Sequence, residues 1–310
     1  MYGTVVAMTT DLVTGANGYS GKHLARLLVD RGHQVRTLTR DPATVAPPVD
    51  ALPFTFDDPE RLTAAFDGVD TFYNTYWVRF ARGSTTHDLA VDHSRALITA
   101  AARAGVRRMV HISIMNPDPD SPYTYQRGKA VVEELVRTSG MSYAILRPSV
   151  LFGGAEVLLG NVAWLLRHFP VFTVPGDGRY PIRPTHVDDL AELMAALAIG
   201  DDNVERDAGG PQTFAFGDLV RLIRKAIGAR ALVVNAPRAL VLPLTRVVAQ
   251  VTGDVTVTSA ELGALMEGLA SCEGPPAGNR RYTDFLAQHA HTYGRTYTHE
   301  VRRNFTSPAA

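Results

Sequence analysis

The stretch Asp11 to Gly21, reading DLVTGANGYSG, constrains the fold of this 310-residue chain more than any other. A short apolar run, Leu12 and Val13, enters a turn with glycines at 15, 18 and 21. A helical pattern follows, with Leu24, Leu27 and Leu28 on one face and Gly32 at its end. Strand, glycine turn and helix in that order make a phosphate cradle. Gly15 lets the chain turn with positive φ, Gly18 removes a side chain that would block a pyrophosphate, and Gly21 lets the helix sit close on the strand. The helix N-terminus then aims free N–H groups and the positive end of its dipole at the phosphates. Asn17, Tyr19 and Ser20 complete the turn and are candidate cofactor contacts with the three glycines. The spacing is G-x-x-G-x-x-G rather than the commoner G-x-G-x-x-G. A second strand, Gln34 to Leu38, follows at the distance a dinucleotide-binding unit requires.

The end of that second strand is where such a unit reads the adenosine ribose. An acidic residue there bonds the 2′-hydroxyl of NAD, whereas an arginine accommodates the extra phosphate of NADP. Arg40 occupies the position, so NADP(H) is the expected cofactor, with NAD(H) as the alternative. Pro47, Pro48 and Pro53 punctuate the path to a third strand near 52–56. Asp57 and Asp58 follow it, placed either to cap the next helix or to face the adenine edge. A fourth strand, 69–73, leads into Asn74-Thr75-Tyr76-Trp77, a polar-aromatic loop at the carboxyl end of a parallel strand, where ligands of such sheets bind.

The pattern continues with a helix at 85–104, a strand at 106–113, a helix at 124–138 and a strand at 142–146. Beyond these come a helix near 157–168, a strand around 181–185 and a helix at 188–199. This alternation demands a parallel sheet covered on both faces, a doubly wound α/β fold of the Rossmann type. From about residue 230 the rhythm changes to apolar helical segments at 241–251 and 260–269 and a polar tail rich in Tyr and His. The expected organisation is a dinucleotide-binding domain of residues 1–150 and 183–230. A smaller, mainly helical substrate lobe takes 151–182 and 231–310.

Acidic and basic residues balance at 31 each, which gives no electrostatic footprint for nucleic acid or an anionic membrane. A single cysteine, Cys272, excludes an internal disulfide and suits a reducing cytoplasm. No run of about 20 uninterrupted apolar residues exists to span a membrane. The opening residues lack the charged and apolar regions of a signal peptide, and 1–7 read as a dispensable extension before Met8. The ten histidines show no H-E-x-x-H pattern and Asp188-Asp189 lacks companions, so no metal site is expected.

Ser113, Tyr125 and Lys129 carry the chemistry. Tyr125 and Lys129 are four apart at the start of a predicted helix, one above the other on the same face, whereas Tyr123 lies off that face. An ammonium close to a phenol favours the phenolate and makes it a usable general acid/base. Ser113 ends the fifth strand, where its hydroxyl can bond a carbonyl oxygen of the substrate. Lys129 is one of only three lysines, with Lys22 and Lys225.

TGANGYSG, the Arg40 loop, HISI ending near Ser113, YQRGKA at 125–130, LRPSVLFG at 146–153 and RPTHVDDLA at 183–191 together resemble the short-chain dehydrogenase/reductase family. The resemblance is to its extended or atypical, epimerase-like branch, which includes NmrA-like and complex I accessory-subunit-like proteins. It covers residues 9 to about 200 well and the tail poorly. It implies pyrophosphate binding by the glycine turn, an adenine contact from Asp57 or Asp58, and Arg147-Pro148 beside the nicotinamide. It implies further that His186 to Asp189 open a helix. Many atypical members lack the tyrosine or the lysine; this chain keeps both. Tyr76, Trp77, Phe152 and Trp164, with Ser113, are expected to line an apolar substrate pocket.

The expected activity is hydride transfer between NADP(H) and a small, largely apolar carbonyl or alcohol. Epimerisation of a sugar nucleotide and non-catalytic redox sensing are the alternatives. The expected partner is a small molecule, with a homodimer possible.

Overall fold

The computed structural model describes residues 10–154, 156–255 and 257–305, so the proposed extension at 1–7 lies outside the described residues. The chain divides into two compact units. The first comprises residues 1–148 and 187–207, and the second comprises 149–186 and 208–310.

The first unit opens with β1 (Thr10–Thr14), α1 (Tyr19–Asp30), β2 (Gln34–Thr39), β3 (Asp50–Pro53), α2 (Pro59–Ala64) and β4 (Val69–Asn74). It continues through α3 (His87–Arg103), β5 (Arg108–Ile112), α4 (Thr124–Arg137) and β6 (Ser142–Pro148). After the second unit's β7 (Leu151–Phe152), α5 (Leu158–His168), β8 (Val171–Pro175), β9 (Pro181–Ile182) and β10 (Thr185–His186), α6 (Val187–Leu197) and β11 (Val204–Ala208) complete it. The sheet order is β11-β6-β5-β4-β1-β2-β3. Neighbours from β6 to β3 pair in parallel. The chain runs outward from β1 through β2 to β3, then returns to β4 on the other side of β1. That reversal opens a crevice beyond the carboxyl ends of β1 and β4.

Burial follows the period of two. Leu12, Leu38, Phe72, Met109 and Ile145 enter one core with Leu62, Phe66, Leu97, Ile98, Val132 and Val136 from α2, α3 and α4. The alternate side chains serve the other face, where α1 packs with α6. Thr86 caps α3 by accepting from the Leu89 amide, and Asp58 caps α2 by accepting from the Arg61 amide. On α4 the buried stripe is Gly128, Lys129, Val132, Glu133 and Val136, so two charged residues lie among core positions.

The second unit adds β12 (Phe214–Ala215), α7 (Phe216–Ala226), β13 (Leu232–Ala236), α8 (Arg238–Thr252), α9 (Ser259–Met266), α10 (Tyr282–His289) and α11 (Glu300–Phe305). The expected apolar helices are α8 and α9. Residues 208–230, expected with the first unit, belong here because Phe216, Leu219, Val220 and Ile223 of α7 share a core with Leu159, Val162 and Leu166 of α5. The strand expected around 181–185 is instead two short pieces, β9 paired with β12 and β10 paired with β7. The seventh strand of the main sheet is β11. Among the described residues no helix is long and apolar enough to cross a membrane.

Candidate active site

At the foot of the crevice Gly15 has φ +68° and its amide donates to the Leu38 carbonyl at 3.0 Å. The Gly18 amide donates back to the Gly15 carbonyl at 2.7 Å, closing the turn. A Cβ on Gly18 would lie 3.0 Å from that carbonyl oxygen, and one on Gly21 would lie 2.3 Å from it. The turn therefore tolerates no side chain at 21 without moving its own backbone. No side chain caps α1 at Gly18, which leaves the first amides of the helix open to an anion. Asn17 is exposed and its Nδ2 donates to Thr44 Oγ1 at 2.7 Å; Tyr19 and Ser20, half-buried, open α1.

Thr14 and Asn74 tie the cradle to the next strand. The Thr14 hydroxyl donates to Asn74 Oδ1 at 3.2 Å and accepts from the amides of Thr75 and Tyr76 at 2.9 and 3.1 Å. This brings Asn74 and Thr75 to the turn, as their place in the sequence suggests. Arg40 follows β2 and is exposed. Asp58 spends its side chain as the α2 cap, while Asp57 beside it is exposed. Tyr76 faces away from Trp77. Its hydroxyl lies 2.7 Å from His93 Nδ1, and its ring packs on Phe54 and Phe56. Burial pushes its phenol up to about 12.

Tyr125 and Lys129 meet on the indole of Trp77, and Lys129 also reaches the strand end next to Ser113. Ser113 is 2% exposed, its amide donates to the Leu146 carbonyl, and its hydroxyl has no partner among the described residues. Lys129 is also 2% exposed, and its Nζ donates to the Ile112 carbonyl at 2.8 Å, one residue before Ser113. Burial pushes this ammonium down to about 7, against the pull of the Glu133 carboxylate one turn along α4. The Tyr125 ring meets Trp77 and His87 edge-on, with centroids at 5.7 and 5.5 Å. His87, on α3, was not legible as a site residue. It joins through its ring, parallel to Trp77, and through Nδ1, 2.7 Å from Thr124 Oγ1.

His111, on β5 opposite Asn74, is wholly buried; its ring lies against the Asn74 backbone, and neither nitrogen makes a hydrogen bond of full geometry among the described residues. Burial first, and the Lys129 cation second, hold it well below the usual imidazole range, so it is neutral. Asn74 Nδ2 is likewise buried without a partner. Such atoms fit a polar ligand with donors and acceptors of its own. With the open glycine turn, they make the first unit a fit for a dinucleotide.

Other candidates are otherwise engaged. The Arg147 guanidinium donates to Glu133 from Nε at 2.8 Å and to Glu205 at 2.6 Å, and these carboxylates raise its pKa. Pro148 ends β6 behind it. In the second unit Phe152 is fully buried against Tyr282, Phe285 and His186, which makes it a core side chain. Trp164 is half-buried and stacks on His168 at 4.3 Å. His186 packs its ring against Gly153, where a Cβ would meet Nε2 at 2.8 Å. Asp188 lies 2.6 Å from His23 Nδ1, joining α6 to α1.

Residues 15–160 match an NAD(P)H-binding family. The chain is 30% identical over 185 residues to the 3 beta-hydroxysteroid dehydrogenase/Delta 5→4-isomerase of Mycobacterium tuberculosis, covering 48% of this chain and 50% of the relative. The chain thus spans about half the length of that curated relative. It is 24% identical over 251 residues to the mitochondrial NADH-ubiquinone oxidoreductase 40 kDa subunit of Neurospora crassa, covering 77% and 65%. Among solved structures, an NADPH-dependent quinone oxidoreductase from Escherichia coli, complexed with NADPH, superposes with a TM-score of 0.75. It shares 20% identity over 91% of this chain and 98% of that one, a likeness of fold.

Proposed function

We propose, for a chain that carries an NAD(P)H-binding domain and fits the extended, NmrA-like branch of the short-chain dehydrogenase/reductase family, an NADP(H)-dependent oxidoreductase acting on a small, largely apolar carbonyl or alcohol. The observation that carries this reading is the corner made by Ser113, Tyr125 and Lys129 at the carboxyl end of β5. A buried hydroxyl without a partner among the described residues sits next in sequence to the carbonyl that anchors a buried ammonium, and a phenol stands one helical turn from that ammonium. When bound, the nicotinamide supplies or accepts a hydride.

The rest is the work of this chain's side chains. The glycine turn and the start of α1 hold the pyrophosphate, and Arg40 takes the 2′-phosphate. Asp57, exposed after β3, would contact the adenine. Ser113 Oγ donates to the carbonyl oxygen of the substrate and fixes its orientation. The Tyr125 hydroxyl gives its proton to that oxygen as charge develops there, and takes a proton back in the oxidative direction. Lys129 stabilises the phenolate left behind and holds the ribose hydroxyls. Trp77 forms the apolar wall and suits an uncharged ring system better than a diphosphate sugar.

The test is NADPH consumption with a panel of aromatic and alicyclic ketones, for the native chain and for Tyr125→Phe. The expected result is stoichiometric oxidation of NADPH by the native chain. The variant is expected to lose about three powers of ten in kcat while binding NADPH nearly as well. Equal rates in the two proteins would remove Tyr125 from the chemistry. Turnover without net NADPH consumption would favour epimerisation.

A further inference from the structure

A buried ammonium needs compensation, and on Lys129 the hydrogen bonds are few. Among the described residues its Nζ donates to one carbonyl, that of Ile112. Its second contact is the face of Trp77, whose ring centroid lies 4.5 Å away. The same indole touches Tyr125 edge-on. One ring thus borders both members of the acid/base pair.

The surroundings hold that ring in place. Gly128 leaves the space it needs, since a Cβ there would fall 2.9 Å from Cη2 of the indole. The amides of Thr75 and Tyr76, just before Trp77, are fixed by the Thr14 hydroxyl, and the Tyr76 amide also donates to Asn74 Oδ1 at 3.1 Å. His87 lies parallel to the indole at 6.1 Å. An aliphatic wall of the same bulk would exclude water from Lys129 equally well and return nothing. An aromatic face returns the attraction of its quadrupole for a cation, and that attraction grows as water is excluded.

We infer that Trp77 is a positioning residue for Lys129: the face of its indole keeps the buried ammonium charged and fixed beside Tyr125, in the space that Gly128 leaves open. The charged and titratable groups around Lys129 among the described residues are Tyr125 and Glu133 on α4, His111 on β5 and, across the indole, His87 on α3. The Glu133 carboxylate is shared with Arg147 of β6 and Arg137, so only part of its charge serves Lys129. His111 is neutral and adds no cation. The indole is therefore the contact that discriminates between charged and neutral Lys129 without being divided among other cations. That Lys129 serves a phenol in turnover rests on the function proposed above; the state of the ammonium does not.

The chain has three lysines, so a proton titration of protein labelled with carbon-13 at lysine Cε shows three signals, and Lys22→Arg and Lys225→Arg assign the other two. In the native chain the Lys129 signal is expected to titrate near 7. Trp77→Leu is expected to lower that midpoint by about 0.4 to 1.5 pH units, and Trp77→Phe by less. Gly128→Ala keeps the tryptophan but pushes it off the helix, and is expected to shift the midpoint in the same direction. An unchanged or raised midpoint in Trp77→Leu and Gly128→Ala overturns the inference, whatever the activity. A lowered midpoint in a protein that turns over no ketone leaves the inference standing and removes the proposed function instead.

Discussion

Around the Gly15–Gly21 turn the side-chain hydroxyls are tied down by the protein itself and only the first amides of α1 stay open, whereas near the carboxyl ends of β4 and β5 several side-chain atoms are not tied. The Thr14 hydroxyl joins the Thr75 amide to Asn74 Oδ1, and the Thr37 hydroxyl separately joins the Ala16 amide to the Val13 carbonyl. Ser113 Oγ, Asn74 Nδ2, both nitrogens of His111 and Trp77 Nε1 are buried without such partners among the described residues. Each unsatisfied buried group costs about 1–3 kcal/mol, so the second arrangement is held against its own preference by the packing around it. The cradle is a finished shape that waits for an anion. The corner holds unused donors, acceptors and a cation, the condition of groups that react or bind rather than brace. The two ends should therefore respond in opposite ways to substitution: the cradle loses shape and affinity, while the corner loses rate and gains stability.

Lys129→Met separates the ends most widely. The rate is expected to fall by about three powers of ten. Stability is expected to rise, by an amount that depends on pH. The folded-state pKa, near 7, lies below the ordinary value of 10.5, so the native chain binds fewer protons than the unfolded chain between these values. Native stability thus climbs with pH across that window, and the advantage of methionine, about 2–5 kcal/mol at pH 6, shrinks toward pH 10.5. Urea denaturation at pH 6 and 9 checks it. A destabilised variant at pH 6 breaks the comparison.

Gly21→Val should act at the other end. Its Cβ meets the Gly15 carbonyl, so NADPH affinity measured by calorimetry is expected to fall about a hundredfold, and the melting temperature is expected to fall as well. Arg40→Asp leaves the turn intact and is expected to weaken NADPH by about ten- to a hundredfold and NADH hardly at all. Equal effects on both cofactors remove the arginine from 2′-phosphate recognition. The smallest effect is Ser113→Ala, which deletes a buried hydroxyl without a partner among the described residues. Its unfolding free energy is expected to rise by about 1 kcal/mol while kcat falls.

The contrast also explains what could be read in the amino-acid order. The cradle is local: three glycines spaced along one turn, between a strand and a helix, already specify its shape. Tyr125 and Lys129 were legible for the same reason, a fixed offset on one helix face. His87 was not, because it lies 38 residues before Tyr125 and the two meet only when α3 packs beside α4. The Tyr76-Trp77 pair was misgrouped through its chain direction. Neighbours in an extended segment point to opposite sides, so Tyr76 joins Phe54, Phe56 and His93 while Trp77 joins Tyr125 and Lys129.

Phe152 and α7 show the limit in the other direction. An apolar residue beside a recognised motif reads as a pocket lining, but its burial depends on residues more than a hundred positions away, Tyr282 and Phe285. Likewise α7 has a strong apolar face, and only the packing of α5 decides which unit receives it. Pairings of β9 with β12 and β10 with β7 are too short to leave a periodic signal, so a single strand was expected across 181–185.

In the proposed function the phenol of Tyr125 and the ammonium of Lys129 face a bound nicotinamide. A crystal structure of the full chain with NADPH tests it most directly. The nicotinamide ribose hydroxyls are expected within about 2.6–3.2 Å of Tyr125 Oη and Lys129 Nζ, with the nicotinamide ring beside Ser113. A nicotinamide lodged elsewhere, or a Tyr125 hydroxyl turned away from it, contradicts that arrangement.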